Sequence, residues 1–600
     1  MKRLPRPVSG LLAAALAIAC APRPAADLPQ SWRPGVAAGY DLLLVTLDTT
    51  RADHLGAYGY PAAETPNLDR LAREGVRFTD AISTAPLTLP AHSSILTGLS
   101  PLHHGVRTNS HFRLGKEPTT LGEKLGAAGY TTAAFVSAFV LDERYGLARG
   151  FSHYDDEVAA AEGPAFAAGT LERKAPATTG AYLEWLAAQP AGKGLFAWIH
   201  YFDPHAPYEP PAELAARFPG RPYDGEIALV DRELGRVLQA LEASGRLSRT
   251  LVVAVGDHGE GLGEHGEATH GNFLYDSTMR VPLILYAPAA LGSGLVDGRV
   301  VSQVDLLPTL LELLGIADGA PRDGVSWVGR AARPEAAVYL ETLSPYHEFG
   351  WAPLFALRTL RHKAILAPRR EFYDLADDPR EEHDLFDMGE NHVREMLMDR
   401  LQKVLGETPG TGAPRREEDP EERARLEALG YIGGAGPAAA GGGPLADPKD
   451  RIAVLNALIE ANAAMGAGRL DLAERYLRQA AAASPRERSV LHLYGKLQLR
   501  LGRPLEAEKS FRALAAIEQR ADVSVLLAQI AIQDGREAEA VVLLGEAEQL
   551  DPLLGSVFVA RGDLLLRQGR REEAAAAYRK ALEIDPLRTG GMARERLEAF

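Results

Sequence analysis

Cysteine is almost missing: Cys20 is the only one in 600 residues. No disulfide can form within the chain, so in an oxidising compartment its stability must come from packed cores. An excess of positive charge is missing too. Lys and Arg number 65 against 80 Asp and Glu, for a formal net charge of -15. Such a balance lacks the basic field that draws a polyphosphate backbone, so nucleic acid is not expected as a partner, and an anionic substrate would need local cations or a metal. Aromatic residues are sparse at 7%, whereas hydrophobic residues of all kinds make up 46%. A chain of this length exceeds what one core can organise, which implies at least two globular units.

The N-terminal run MKRLPRPVSGLLAAALAIAC, residues 1–20, carries basic residues, a short apolar segment and small residues before the cysteine. That order is the pattern of an export signal, and the apolar part is too short for a membrane span. Its end, LAIAC, resembles a bacterial lipobox, with Ala17 where leucine is commoner. The resemblance implies lipidation at Cys20 and a proline-rich tether over residues 21–39. The expected location is the bacterial cell envelope, with the protein held at the membrane by its N-terminal lipid, facing the periplasm or on the outer membrane.

From Tyr40 onward, continuous apolar runs such as YDLLLVTLD, GLFAWIHYF, RTLVVAVGD and VPLILYAP alternate with amphipathic helical ones such as EIALVDRELGRVLQALEAS. Strands that are apolar throughout, separated by helices, imply an α/β domain with a mostly parallel sheet covered on both faces, expected over residues 40–405. Ligands gather at the carboxyl ends of strands in such sheets. Asp48, Asp203 and Asp257 each end a predicted strand, and three acids at one edge suggest a metal site. A Gly-, Pro- and Ala-rich stretch with interspersed charge follows and reads as a linker over residues 406–450.

Residues 451–600 repeat. Gly468, Gly502, Gly535 and Gly569 are 34, 33 and 34 positions apart. Alanine follows each at the fifth position (Ala473, Ala507, Ala540 and Ala574), and Ala480, Leu514, Ala547 and Ala581 stand at the twelfth. Pro485, Gln519, Pro552 and Pro586 come at the seventeenth. The pattern is similar to the tetratricopeptide repeat, which implies an all-α solenoid of stacked hairpins whose concave face takes a protein or peptide partner.

The motifs in the first domain are weak singly and strong together. In order, LDTTRADHLGAYGY, TLPAHSSILTG, YFDPHAPY, VGDHGEGLGEHG and HGNFLYDSTMRVPLI resemble the sulfatase family of the alkaline phosphatase superfamily. The resemblance implies a hydroxyl nucleophile on a divalent metal, attacking a sulfate or phosphate ester. By register Thr88 is that nucleophile, and Asp48, Thr88, Asp257 and His258 are the metal ligands. The helix behind Thr88 is expected to begin near Pro90 or Ala91, its free N–H groups facing the bound anion. His205 matches the histidine that contacts the anion. His270 stands where many sulfatases carry a lysine; it could protonate the leaving group, or bind a second metal with Asp203 and His205. His92, His200, Glu264 and His265 are candidates for groups around the ligands.

Where the family has Cys or Ser, then Pro, then Arg, this chain has Thr88, Pro90 and His92. Threonine is not oxidised to formylglycine, so the hydrate nucleophile of sulfatases is excluded. Thr49 replaces the family's second acid, and His258 adds nitrogen to the ligand set, which favours zinc or manganese over calcium for one divalent ion; the sequence leaves a second ion open. The expectation is a metal-dependent hydrolase or transferase acting through Thr88, on phosphate esters ahead of sulfate esters. The alternatives are a true sulfuric ester hydrolase lacking formylglycine, and an envelope-anchored repeat scaffold with a relic enzyme domain.

Overall fold

The computed structural model describes residues 32–158, 173–190, 192–329, 336–407, 445–584 and 589–598. The expected signal with Cys20, most of the tether and most of the linker lie outside the described residues.

The strands are β1 (Asp41–Leu47), β2 (Val76–Ile82), β3 (Thr131–Phe135), β4 (His153–Asp155), β5 (Leu195–Tyr201), β6 (Thr250–Gly256), β7 (Arg280–Tyr286) and β8 (Leu295–Ser302). They form one eight-stranded sheet in the order β4-β3-β5-β1-β6-β7-β2-β8. Only β7 runs against its neighbours, β6 and β2, so the sheet is mostly parallel. The run DLLLVTL is apolar throughout because β1 is covered on both faces. Leu42 and Leu44 enter a core with Trp198 and Val253, whereas Leu43, Val45 and Leu47 enter the opposite one with Ile199 and Val252. Side chains alternate across a strand, so one sequence feeds both cores. Helices Thr88–Thr97 and Leu306–Leu313 cover the first face; Pro66–Glu74, Ala175–Ala187 and Pro222–Ala243 cover the second.

This topology places the chemistry. The central strands lie in the order β5-β1-β6 and are parallel, with Leu47 opposite both Tyr201 and Gly256. Asp48 and Asp257, each one residue past its strand, therefore emerge side by side. A second, antiparallel sheet of β9 (Val338–Thr342), β10 (Leu354–Arg358), β11 (His362–Leu366) and β12 (Glu371–Asp374) follows, and helix His392–Glu407 packs on it.

Among the described residues beyond it stand four helical hairpins, Ile452–Gly466 with Leu470–Ala483, Arg488–Arg500 with Pro504–Ala515, Ala521–Gln533 with Glu537–Leu550, and Gly555–Arg567 with Arg571–Ile584, and a last helix, Thr589–Glu598. Gly468, Gly502, Gly535 and Gly569 turn each hairpin with φ of 70, 69, 77 and 74°, the left-handed conformation that favours glycine. Every in-phase alanine or leucine named above is at most 1% exposed, which explains the periodicity as helix contact. Gly495 is a closer contact still: a Cβ there would lie 2.5 Å from Phe511 Cε1. Gly495→Leu is expected to lower stability by at least about 1–3 kcal/mol through overpacking. Gly545→Ala, where a Cβ would meet nothing within 4 Å, should raise stability by about 0.5–1 kcal/mol through helix propensity. Unfolding midpoints followed by circular dichroism check both.

Candidate active site

Thr88 is fully buried and is the first residue of helix Thr88–Thr97. The helix thus begins before Pro90, because proline is tolerated in a first turn, where its missing N–H is not needed. This corrects the expected row of free N–H groups. Leu89 N–H donates to Asn109 Oδ1 at 2.9 Å, Pro90 has none, and Ala91 N–H donates to Leu87 O at 3.0 Å. What the helix delivers is the hydroxyl. Thr88 Oγ1 lies 3.4 Å from Asp48 Oδ2 and 3.4 Å from His258 Nε2.

The residues around it are locked. Asp257 Oδ1 accepts from Thr49 N–H at 3.1 Å and from His258 N–H at 2.7 Å. Thr49 itself has a φ of 48°, a turn held by Tyr223 Oη, which donates to Thr49 O at 2.7 Å and accepts from Arg51 N–H at 2.9 Å. Gln303 Nε2 donates to the carbonyls of Gly256 and Asp257 at 2.9 and 2.5 Å. His258 Nδ1 donates to Gly259 O at 3.0 Å, which leaves the Nε2 lone pair facing Thr88.

Asp48, Asp257 and His258 offer ligand atoms within 4.8 Å of one another. Among the described residues Asp257 Oδ2 has no hydrogen-bond partner. Burial, with the charge of Asp48 added, pushes the Asp257 carboxyl up to about 8. Two buried acids and an imidazole lone pair that converge with no cationic side chain among the described residues suit a divalent cation. A second group, His92, His200 and Asp257, also converges, but hydrogen bonds give its histidines another task. His200 Nε2 donates to Asp48 Oδ2 at 3.2 Å while its Nδ1 accepts from Ser137 N–H at 3.4 Å. His92 Nδ1 donates to Thr88 O at 2.8 Å. Burial holds His92 down at about 3 and His200 at about 4, so both are neutral braces of the acid and the nucleophile.

The other candidates divide. Asp203, expected beside a second metal, has both oxygens within reach of Ala175 N–H, at 3.1 and 2.9 Å. It sits at the start of helix Ala175–Ala187 and belongs to neither metal-capable group among the described residues; capping a helix is a common use of an acid at a strand end. His205 and His270 do meet, with ring centroids 4.9 Å apart, and His270 lies 4.5 Å from the His258 ring. His205 stacks on Phe202, donates Nδ1–H to Ala206 O at 2.7 Å, and leaves its buried Nε2 without a partner. His270 Nδ1 and Glu260 Oε1 share a hydrogen bond at 3.1 Å; burial raises Glu260 to about 7, so its protonated form can donate to Nδ1 and leave the His270 proton on Nε2. His265 stacks on Tyr275 and bonds Arg380 O at 3.0 Å, and Glu264 pairs with Arg51 at 2.8 Å; neither belongs to a metal-capable group among the described residues. Sequence reasoning missed Asn109, Gln303 and Glu260. Only Glu260 carried a signal, its place directly after the DHG turn.

Residues 41–316 match the sulfatase family model, and residues 263–407 match the model of the N-sulphoglucosamine sulphohydrolase C-terminal region. Two tetratricopeptide repeat models match residues 460–522 and 556–588. An arylsulfatase of Clostridium perfringens is 24% identical over 464 residues, covering 61% of this chain and 93% of its own. Arylsulfatase A of Bos taurus is 26% identical over 452 residues, covering 61% and 86%. In fold, the phosphonate monoester hydrolase of Agrobacterium radiobacter superposes with a TM-score of 0.52 at 21% identity, covering 62% of this chain and 96% of that one. The first domain is a sulfatase-family domain, and the helical region behind it carries tetratricopeptide repeats.

Proposed function

We propose that the protein is a metal-dependent ester hydrolase in which the unmodified Thr88 hydroxyl is the covalent nucleophile, acting on phosphate monoesters or diesters ahead of sulfate esters. The observation that carries this reading is the position of Thr88 Oγ1, 3.4 Å from both Asp48 Oδ2 and His258 Nε2 at a helix start. Similarity to arylsulfatases supports ester hydrolysis in general. The choice of phosphate rests on the nucleophile: with threonine at position 88 and Cys20 the only cysteine, formylglycine chemistry has no starting residue.

Asp48, Asp257, His258 and Thr88 would hold the cation, which when bound supplies Lewis acidity that lowers the hydroxyl pKa and offsets anionic charge. Thr88 Oγ1 gives up its proton to solvent, forms the new bond to the ester's central atom as the bond to the alcohol oxygen breaks, and so becomes esterified. His205, whose Nδ1–H is held by Ala206 O, would contact the anion through its partnerless Nε2 once that atom carries a proton, which the anion's own charge favours. His270, its Nδ1 accepting from protonated Glu260, gives the departing oxygen the proton of its Nε2. Water then cleaves the threonine ester and restores the hydroxyl. In this reading Cys20 anchors the enzyme in the envelope and the repeats bring a protein or peptide partner.

A panel of phosphomonoester, phosphodiester and sulfate-ester substrates, assayed with zinc, manganese or calcium, tests the reading. Turnover of a phosphate ester at a kcat/KM at least tenfold above any sulfate ester is the expected outcome. Preference for the sulfate ester would overturn the phosphate assignment.

A further inference from the structure

The first repeat hairpin does not stand apart from the catalytic domain. Phe349 and Trp351, which follow β9, stack at 4.4 Å and share one core with Leu455, Leu458 and Leu477 of helices Ile452–Gly466 and Leu470–Ala483. Trp351 Nε1 donates to Glu487 Oε2 at 3.1 Å, and Ala352 N–H donates to Ala446 O at 2.8 Å. The hairpin also touches the loop that runs from the metal-ligand turn to His270. Asn456 Nδ2 donates to Gly266 O at 2.6 Å. Ile452 packs against the core of Phe273, Leu274 and Tyr275 just past that loop.

The loop is also tied to the catalytic domain: His265 stacks on Tyr275 and bonds Arg380 O at 3.0 Å, and Thr342 Oγ1 donates to Gly271 O at 2.5 Å. Inside, Gly261 N–H donates to Thr269 O at 2.6 Å, Gly263 N–H to Glu267 O at 2.8 Å, and Asn272 N–H to the buried Glu267 Oε1 at 2.8 Å. These bonds make it one compact unit. At its inner edge Arg51 bonds Glu260 O at 3.1 Å and Glu264 at 2.8 Å. At its outer edge Asn456 and Ile452 of the first repeat share the grip with Tyr275 and Arg380, Asn456 taking the carbonyl of Gly266. A second line of contact leads to the nucleophile: Glu348, next to Phe349, accepts from Ser110 Oγ at 2.5 Å, and Asn109 beside it holds the N–H of Leu89 at 2.9 Å.

We propose that the first repeat is a working part of the active-site wall, with Asn456 a positioning residue that holds the loop of residues 261–272 so that His270 faces the reacting ester. The consequence for catalysis rests on the ester-hydrolase reading; the consequence for the loop does not. Loss of a small positional constraint can cost a large factor in rate, since displacements near 1 Å cost on the order of 100-fold.

The test compares the full-length wild type with Asn456→Ala, Asn456→Gln and the remote control Val541→Ser, Val541 being 56% exposed on a later repeat. The first readout, hydrogen–deuterium exchange, needs no substrate. Asn456→Ala should speed exchange across residues 261–272 about tenfold or more with the melting midpoint unchanged; Asn456→Gln, which keeps the amide donor, should recover part of the protection, and Val541→Ser should change nothing. The second readout is kcat on whichever ester the wild type turns over, expected to fall at least tenfold with KM within about twofold. Unchanged exchange overturns the proposal whatever the chemistry, and faster exchange with wild-type kcat overturns its catalytic half. Absence of turnover in the wild type counts against the ester-hydrolase reading and leaves the exchange result to decide the positioning role. Should Asn456→Ala unfold, Asn456→Asp, which keeps the size but replaces the amide donor to Gly266 O by a carboxylate, takes its place, and unchanged exchange across residues 261–272 overturns the proposal.

Discussion

Thr88→Ala is expected to lower kcat by a factor on the order of 10,000 or more, because removing a covalent nucleophile removes the pathway, whereas trimming a binding contact only weakens it. Little else should change. The Thr88 side chain is small, and the bonds that hold its surroundings run through other atoms: His92 to the Thr88 carbonyl, Asn109 to Leu89 N–H, and Gln303 to the carbonyls of Gly256 and Asp257. The variant should fold, and metal, still held by Asp48, Asp257 and His258, should bind more weakly, so its kcat is read at saturating metal. Thr88→Ser keeps the hydroxyl and should retain activity within about 100-fold, the loss reflecting freer rotation once the β-branch is gone. Serine and alanine variants of equal activity would remove the hydroxyl from the reaction.

The second large effect belongs to Asp257. Asp257→Asn should abolish stoichiometric metal binding, since removing groups that merely orient ligands already costs 10–100-fold in affinity. Yet the metal-free variant should be no less stable than the metal-free wild type. Asparagine Oδ1 can still accept from Thr49 and His258 N–H, and the variant no longer buries an acid facing Asp48. The sign follows from linkage. The Asp257 carboxyl is raised to about 8 in the fold, against about 3.9 unfolded. Between these values the folded metal-free protein binds more protons than the unfolded chain, so its stability falls as pH rises. The variant lacks that slope, and the gap in its favour should widen from pH 4 upward and level off above about pH 8. Chemical unfolding of both proteins in chelator across this range measures it. A variant less stable at every pH would mean that Asp257 supports the fold and is not held there for a cation.

The repeats were the most legible part of the chain, because hairpin turns need a left-handed residue and helix contacts need small side chains, and both recur in phase from Gly468 to Ala581. The sheet was legible for a similar reason: β1 is apolar throughout because it is buried on both faces. The pairing of Asp48 with Asp257 and His258 could be anticipated because each directly follows a central strand. Asp203 also follows a strand but is drawn to a nearby helix start at Ala175, a competition that a linear reading cannot rank. Asn109 and Gln303 left no local trace, since their roles depend on distant backbone groups they meet only in the fold. The grip of Asn456 on Gly266, 190 positions away, is of the same kind.

The central claim is that unmodified Thr88 becomes esterified during turnover. Rapid acid quench of the metal-loaded enzyme with a phosphate ester, followed by peptide mass spectrometry, tests it most directly. The account predicts a phosphoryl adduct on Thr88 in the wild type, formed within the first turnover and lost when substrate is exhausted, and none in Thr88→Ala. Turnover with an unmodified Thr88 at every quench time, or an adduct on another residue that persists in Thr88→Ala, would contradict it.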